Sequence, residues 1–245
     1  MEYIYGRKPV FEALRGRRRV HKIQLARETK PSSPVADILR LVAEKSIPLE
    51  RLPKRDLDDL IGDVRHQGVI AEVEPFHYAN IAELVASTAE KSRALVVALD
   101  GVTDPQNLGA VIRTAAAAGA DGIIVPKHGA APVTAAVAKA SAGLVEHAVI
   151  AATNLNNALD RLKGCGFWVV GADADAPALI WDLDLAGKIV LVFGGEGEGL
   201  SRLVKSKCDF LAKLPLAAPV ESLNVSAAAA VMIYEVARQR EDCCD

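Results

Sequence analysis

Aromatic residues are scarce in this sequence, at 4% of 245 residues, although 51% are hydrophobic. A core must therefore be built from Ala, Val, Leu and Ile. That composition suits a helix-covered, largely parallel sheet better than a β-sandwich. No apolar run reaches the ~20 residues needed to span a bilayer, so no membrane partner is expected. The opening MEYIYGRKPVFEALRGRRRV has its charges in the wrong order for a secretion signal, and a cytoplasmic location follows as the expectation. Cysteine is limited to Cys165, Cys208, Cys243 and Cys244, without a Cys-x-x-Cys pair, and the five histidines have no ligand-like spacing. Buried or frayed-tail thiols are expected, and no metal site or disulfide framework. Phosphate-loop motifs are missing as well. The glycines of GGEGEGL are spaced Gly195-x-Gly197-x-Gly199, late in their domain, with no Lys-Ser/Thr after them. That pattern fits neither a dinucleotide fingerprint nor a Walker loop.

Net charge is only −2, yet its distribution is uneven: residues 1–75 carry 15 Lys and Arg against 12 Asp and Glu, and the remainder 14 against 19. Arg15, Arg17, Arg18, Arg19, His21 and Lys22 form a dense basic run. It is either a solvated loop or a grip for an anionic partner such as an RNA backbone.

The first seventy-odd residues read as a small α/β unit. RKPVFEALRG, PVADILRLVAEKS and RDLDDLIG have helical character, and HKIQLAR, IPLERL and GVIAEVE read as strands. FHYANIAELVASTAEKSR contains an amphipathic helix, either a linker or the opening of the next domain. From Ala94 onwards strands alternate with helices: ALVVALD, GIIVP, HAVIAA, FWVVGAD, KIVLVFGG and FLAKLPL, with LGAVIRTAAAAG and LNNALDRLKGCG among the intervening helical runs. This is the pattern of a mostly parallel sheet. The expected division is 1–75, a linker at 76–93, and a second domain at 94–245.

Ligands of open α/β sheets bind at the carboxyl ends of strands, which directs attention to three loops. In DGVTDPQNLGAVIRTAAAAG, Asp104-Pro105 turns the chain, Asn107 lies where a helix would be capped, and Arg113 sits in a helix otherwise made of small and apolar residues. That arginine either snorkels to water or holds an anion. GGEGEGL follows a strand and suggests a backbone packed closely against a ligand or another segment. LPLAAPVESLNVSAAAA is stiffened by Pro215 and Pro219, with Ser222 placed to cap the helix that follows and Asn224 in its first turn.

Taken together and in order, Asn107-Leu108-Gly109 with Arg113, Gly194-Gly195-Glu196-Gly197 with Gly199-Leu200, and Leu214-Pro215 with Ser222-Leu223-Asn224-Val225-Ser226 resemble the SpoU-type RNA ribose 2′-O-methyltransferases of the SPOUT class. IYGRKPVFEAL is similar to the start of a substrate-binding domain, related to ribosomal protein L30e, found in the bacterial branch that methylates a guanosine of 23S rRNA. The resemblance implies an α/β knot fold with a deep trefoil knot, behind an L30e-like RNA-binding domain. It implies S-adenosylmethionine as cofactor, held near Gly194, Gly195, Leu214, Leu216 and Leu223, and a homodimer whose second subunit completes the site. It also implies catalysis by Arg113, as base or as a grip on the adjacent phosphate, with Asn107, Glu196, Ser222 and Asn224 orienting it and the ribose. Arg7, Arg17, Arg18, Arg19 and Lys22 would then contact 23S rRNA. A non-catalytic RNA-binding or ribosome-assembly protein, and a tRNA substrate, are the alternatives.

Overall fold

The computed structural model describes residues 1–30, 32–62 and 64–241, with the side chain of Glu241 left aside; Cys243 and Cys244 lie outside the described residues. By contact the chain divides into two compact units, Met1–His77 with Pro132–His147, and Tyr78–Ala131 with Ala148 onwards.

In the first unit, β1 (Glu2–Tyr5) leads into α1 (Arg7–Arg15), β2 (Val20–Ala26), α2 (Ser33–Glu44), β3 (Leu49–Leu52), α3 (Lys54–Ile61) and β4 (Val69–Val73). Its sheet runs β1-β4-β2-β3, with β4 antiparallel to both neighbours and β2 parallel to β3. α1 turns Pro9, Val10, Ala13 and Leu14 inward, the i, i+3/i+4 spacing that makes one face of a helix apolar. It stops at Gly16, whose N–H returns to the Glu12 carbonyl at 2.7 Å.

The second unit starts with α4 (Ile81–Ala89), whose first turn is closed by a capping box between Asn80 and Glu83. The segment from Tyr78 thus belongs by contact to this unit. β5 (Ala94–Asp100), α5 (Pro105–Ala117) and β6 (Gly122–Pro126) follow. Residues 132–147 then join the first unit, where α6 (Ala135–Ala140) and a 3₁₀ turn at Leu144–Glu146 pack on β1 and α1. The chain resumes with β7 (Ile150–Thr153), α7 (Leu155–Lys163), β8 (Trp168–Ala172), β9 (Ala178–Leu179), β10 (Lys188–Gly194), α8 (Arg202–Lys207), β11 (Phe210–Lys213) and α9 (Val225–Glu241).

These strands form one sheet in the order β7-β6-β5-β10-β8-β11-β9, and every pairing is parallel. Central strands covered on both faces are apolar throughout: six consecutive residues of β5, Ala94 to Leu99, are buried, as are Ile189 to Phe193 of β10. The chain runs outward from β5 through β6 to β7, then crosses to β8 and returns to insert β10 between β5 and β8. That reversal of strand order lies beside β5 and β10, and their carboxyl ends open onto the site.

Candidate active site

Two helix starts differ from the sequence reading. Asp104, not Asn107, caps α5: its carboxylate accepts the Gln106 N–H at 3.0 Å, and Pro105 occupies the first helical position. Asn107 is released from capping, and although only 8% exposed its side chain bonds across to other loops. Asn224, not Ser222, caps α9, accepting from the N–H of Ser226 at 2.9 Å and of Ala227 at 3.4 Å. The helix begins at Val225, too far along for Ser222 to reach its free N–H groups.

These two asparagines bring the three loops together. Asn107 Nδ2 donates to Glu196 Oε1 at 2.5 Å, and Asn224 Nδ2 donates to Asn107 Oδ1 at 2.9 Å. Ser226 Oγ donates to Asn224 Oδ1 at 2.6 Å. Each donor in this row points toward the Glu196 carboxylate, which can only accept, so both amide orientations follow from the chain of bonds. Such an aligned row polarises its members in one direction.

The GGEGEG loop is shaped by backbone crossing backbone. A Cβ on Gly194 would lie 2.0 Å from the Gly199 carbonyl carbon, and one on Gly195 would lie 2.2 Å from the Gly101 carbonyl oxygen. Neither position has space for a side chain. Gly197 and Gly199 adopt φ of 93° and 66°, the left-handed region that glycine enters without steric penalty. Asp100, the last residue of β5, holds both ends of the loop: its carbonyl accepts from Gly195 N–H, and its carboxylate from Ser201 N–H, each at 2.7 Å. Sequence reading did not single out Asp100, although a carboxylate closing an apolar strand at a ligand-binding sheet end was a usable signal.

Beside this loop lies a cleft of about 600 Å³, and Gly194, Gly195, Leu214, Leu216 and Leu223 all line it, together with Glu196, Ser222 and Asn224. Asp173 and Asp175, after β8, and Lys205 and Lys213 complete its charged rim, none of them anticipated from sequence. With Glu196 and Glu198 the lining carries four carboxylates against two amines, a surplus that favours a cationic ligand. Burial acts to raise the Asp173 carboxyl, but hydrogen bonds from Lys205 and the Asp175 N–H outweigh it and hold the group below the usual carboxylate range. Cys208 is pushed up to about 11 by burial and then by the charge of Asp209, leaving an unreactive thiol. Arg113 is not among the cleft residues; it is exposed on α5 and makes no side-chain hydrogen bond or ion pair among the described residues.

In the first unit the basic residues separate into different environments. Arg18 differs from its neighbours: its side chain is 7% exposed, bonded to Glu146, itself 1% exposed, and to Glu2, and it lies over the Phe76 ring. A guanidinium so enclosed and paired holds the fold together. Lys22 is paired with Glu50 at 2.6 Å, and Arg7 bonds to Ser32 Oγ and the Gln67 carbonyl. Arg17 and Arg19 are exposed and make no side-chain polar contact among the described residues.

A parallel sheet whose strand-end loops enclose an acidic cleft, accompanied by a small α/β unit, defines a two-part α/β protein with a ligand-sized opening at its strand ends. Residues 94–234 match the SpoU rRNA Methylase family, and residues 3–79 match the RNA 2′-O ribose methyltransferase substrate binding family, so the chain belongs to the SpoU methyltransferases. YacO of Bacillus subtilis, named for the TrmH family of tRNA/rRNA methyltransferases, is 41% identical over 98% of this chain and 96% of its own length. The SpoU methyltransferase AviRb of Streptomyces viridochromogenes, solved in complex with AdoMet, superimposes with a TM-score of 0.81 at 25% identity, covering 98% of this chain and 90% of that one. An AdoMet-bound rRNA methyltransferase of Sinorhizobium meliloti also gives 0.81 at 25% identity, over 97% and 87%.

Proposed function

We propose that this protein methylates the ribose 2′-hydroxyl of a guanosine in 23S rRNA, using S-adenosylmethionine and acting as a homodimer with the trefoil knot of its class. The observation that carries this reading is the row of bonds from Asn224 through Asn107 to Glu196, which ties three distant loops to one wall of the acidic cleft.

The cleft suits the cofactor on its own terms. Its four carboxylates suit a sulfonium and an ammonium group. Gly194, Gly195, Leu214, Leu216 and Leu223 would hold the cofactor, which supplies an activated methyl group when bound. The chain's own contribution is positioning. Holding the hydroxyl in line with the methyl is worth up to ~7–11 kcal/mol of the barrier. Ser222 and Asn224, at the cleft, supply hydroxyl and amide groups for the ribose, while Asn107 and Glu196 fix the direction of the asparagine row.

Arg113 acts from the second subunit, its guanidinium free to grip the phosphate beside the target and to stabilise negative charge developing on the oxygen. A guanidinium does this as a cation, without giving up a proton.

A ribosomal substrate is favoured by domain content. A structural neighbour that carries out 2-OH methylation of C/U34 on tRNA covers only 62% of this chain while using 99% of its own, whereas the Sinorhizobium rRNA enzyme is matched over 97%. The first unit would then choose the RNA, reading exposed loop bases while its cations hold phosphates. The test is incubation with labelled S-adenosylmethionine and 23S rRNA lacking the modification, followed by mapping of the methylated nucleotide. Label on a guanosine ribose of 23S rRNA is expected; label confined to tRNA would redirect the assignment.

A further inference from the structure

Beyond the methyl-transfer cleft, the first unit contains a second concavity of about 560 Å³, between the carboxyl ends of α1 and α2. Its size falls within the ~300–1,000 Å³ typical of ligand sites. Arg17, Arg18, Arg19, His21, Lys45 and Ser46 line it, over a floor that includes Leu14. Arg17, Arg19 and Lys45 are exposed, and none of the three makes a side-chain hydrogen bond or ion pair among the described residues. His21 Nε2 is shut off from solvent without a hydrogen-bond partner, 3.6 Å from Glu74 Oε1.

The ordinary explanation for cations at helix ends is compensation of the helix dipole. Two carboxyl ends bring roughly one negative charge between them, about −0.5 each. Three unpaired side-chain cations exceed that by about two charges. Arg18 shows that the excess has a direction. It is drawn inward by Glu146 and Glu2, leaving its neighbours Arg17 and Arg19 on the outer wall. Ser46 holds a left-handed φ of 53°, a conformation uncommon outside glycine, at the lip formed by Lys45 and Pro48.

We infer that this concavity is a phosphate subsite, in which Arg17, Arg19 and Lys45 bind the backbone of the substrate RNA. The assignment rests on the RNA-methyltransferase reading and locates where the first unit holds that RNA. A phosphate group could also arrive on a free nucleotide, and the experiment separates the two sources.

Equilibrium binding of in vitro-transcribed 23S rRNA is measured from 50 to 200 mM KCl for the wild type and for the triple variant Arg17→Gln, Arg19→Gln, Lys45→Gln. Arg40→Gln serves as control, since Arg40 lies on the same α2 but is paired with Glu44 and outside the concavity. Three phosphate contacts on unpaired RNA predict that the slope of log affinity against log salt becomes shallower by about 2, with at least roughly tenfold weaker binding at 100 mM. Binding of S-adenosylmethionine and thermal unfolding should match the wild type, and the double variant Arg17→Lys, Arg19→Lys, with Lys45 retained, should keep most of the slope.

Wild-type affinity and slope in the glutamine variant would overturn the subsite while leaving the methyl-transfer reading intact. A wild type that binds no RNA and methylates none would instead defeat that reading. GMP binding that disappears in the glutamine variant while RNA affinity stays unchanged would overturn the RNA backbone as the source of the phosphate.

Discussion

Asn107 and Arg18 are both polar side chains withdrawn from solvent, and they are used in opposite ways. Asn107 spends its amide on partners from two other loops, and the row it completes faces a cleft. Arg18 spends its guanidinium on Glu2 and Glu146, over the Phe76 ring, and only 7% of its side chain is exposed. One buried polar group organises a binding surface; the other secures a fold. What separates them is whether the partners themselves stand at an opening.

The comparison can be broken most severely at the cleft. Arg113→Ala and Asn107→Ala should each lower methyl transfer by roughly 100-fold or more, since losing one aligned donor or misplacing the reacting groups by about 1 Å has effects of that size. Arg113→Ala should keep its affinity for S-adenosylmethionine, measured by calorimetry, because Arg113 does not line the cleft. Next in size is Gly195→Ala. Its new Cβ would meet the Gly101 carbonyl oxygen at 2.2 Å, so the loop must shift and cofactor affinity should fall together with activity.

Arg18→Ala should then destabilise the first unit by about 3–5 kcal/mol, the usual effect of leaving a buried carboxylate unpaired. Thermal unfolding would register this as a drop of several degrees, and Arg17→Ala should produce none. Equal unfolding of the two variants would remove the distinction drawn between neighbouring arginines.

The smallest expected effect concerns Asp173. Its carboxyl is held below the ordinary range when folded, so it contributes stability above the unfolded value near ~3.9 that is lost as pH falls through the folded value. Denaturant titrations between pH 5 and pH 3, on the order of that window, should show Asp173→Asn losing stability less steeply than the wild type.

The same contrast explains what could be read without coordinates. The βα alternation from Ala94 was legible because central parallel strands such as β5 and β10 are continuous apolar runs, a signal carried by each segment alone. β1 was not, since EYIY is four residues long and mostly half-buried. The recruitment of residues 132–147 into the first unit was invisible for a different reason: AAVAKA is a short, alanine-rich helix whose placement is decided by tertiary contacts with β1 and α1. At the cleft, residue types and spacing brought the right loops to notice, but Asp104 and Asn224 took the capping positions assigned to Asn107 and Ser222. In the basic run, composition gave the charge and not the direction of each side chain. The inward turn of Arg18 depends on Glu146, 128 residues away.

The most direct test is transfer of labelled methyl to unmodified 23S rRNA by the wild type and by Asn107→Ala, with cofactor binding followed in parallel. If the three loops form one working cleft, the wild type labels a guanosine ribose and the variant is at least roughly 100-fold slower while remaining folded. Equal rates in the two proteins would contradict that account.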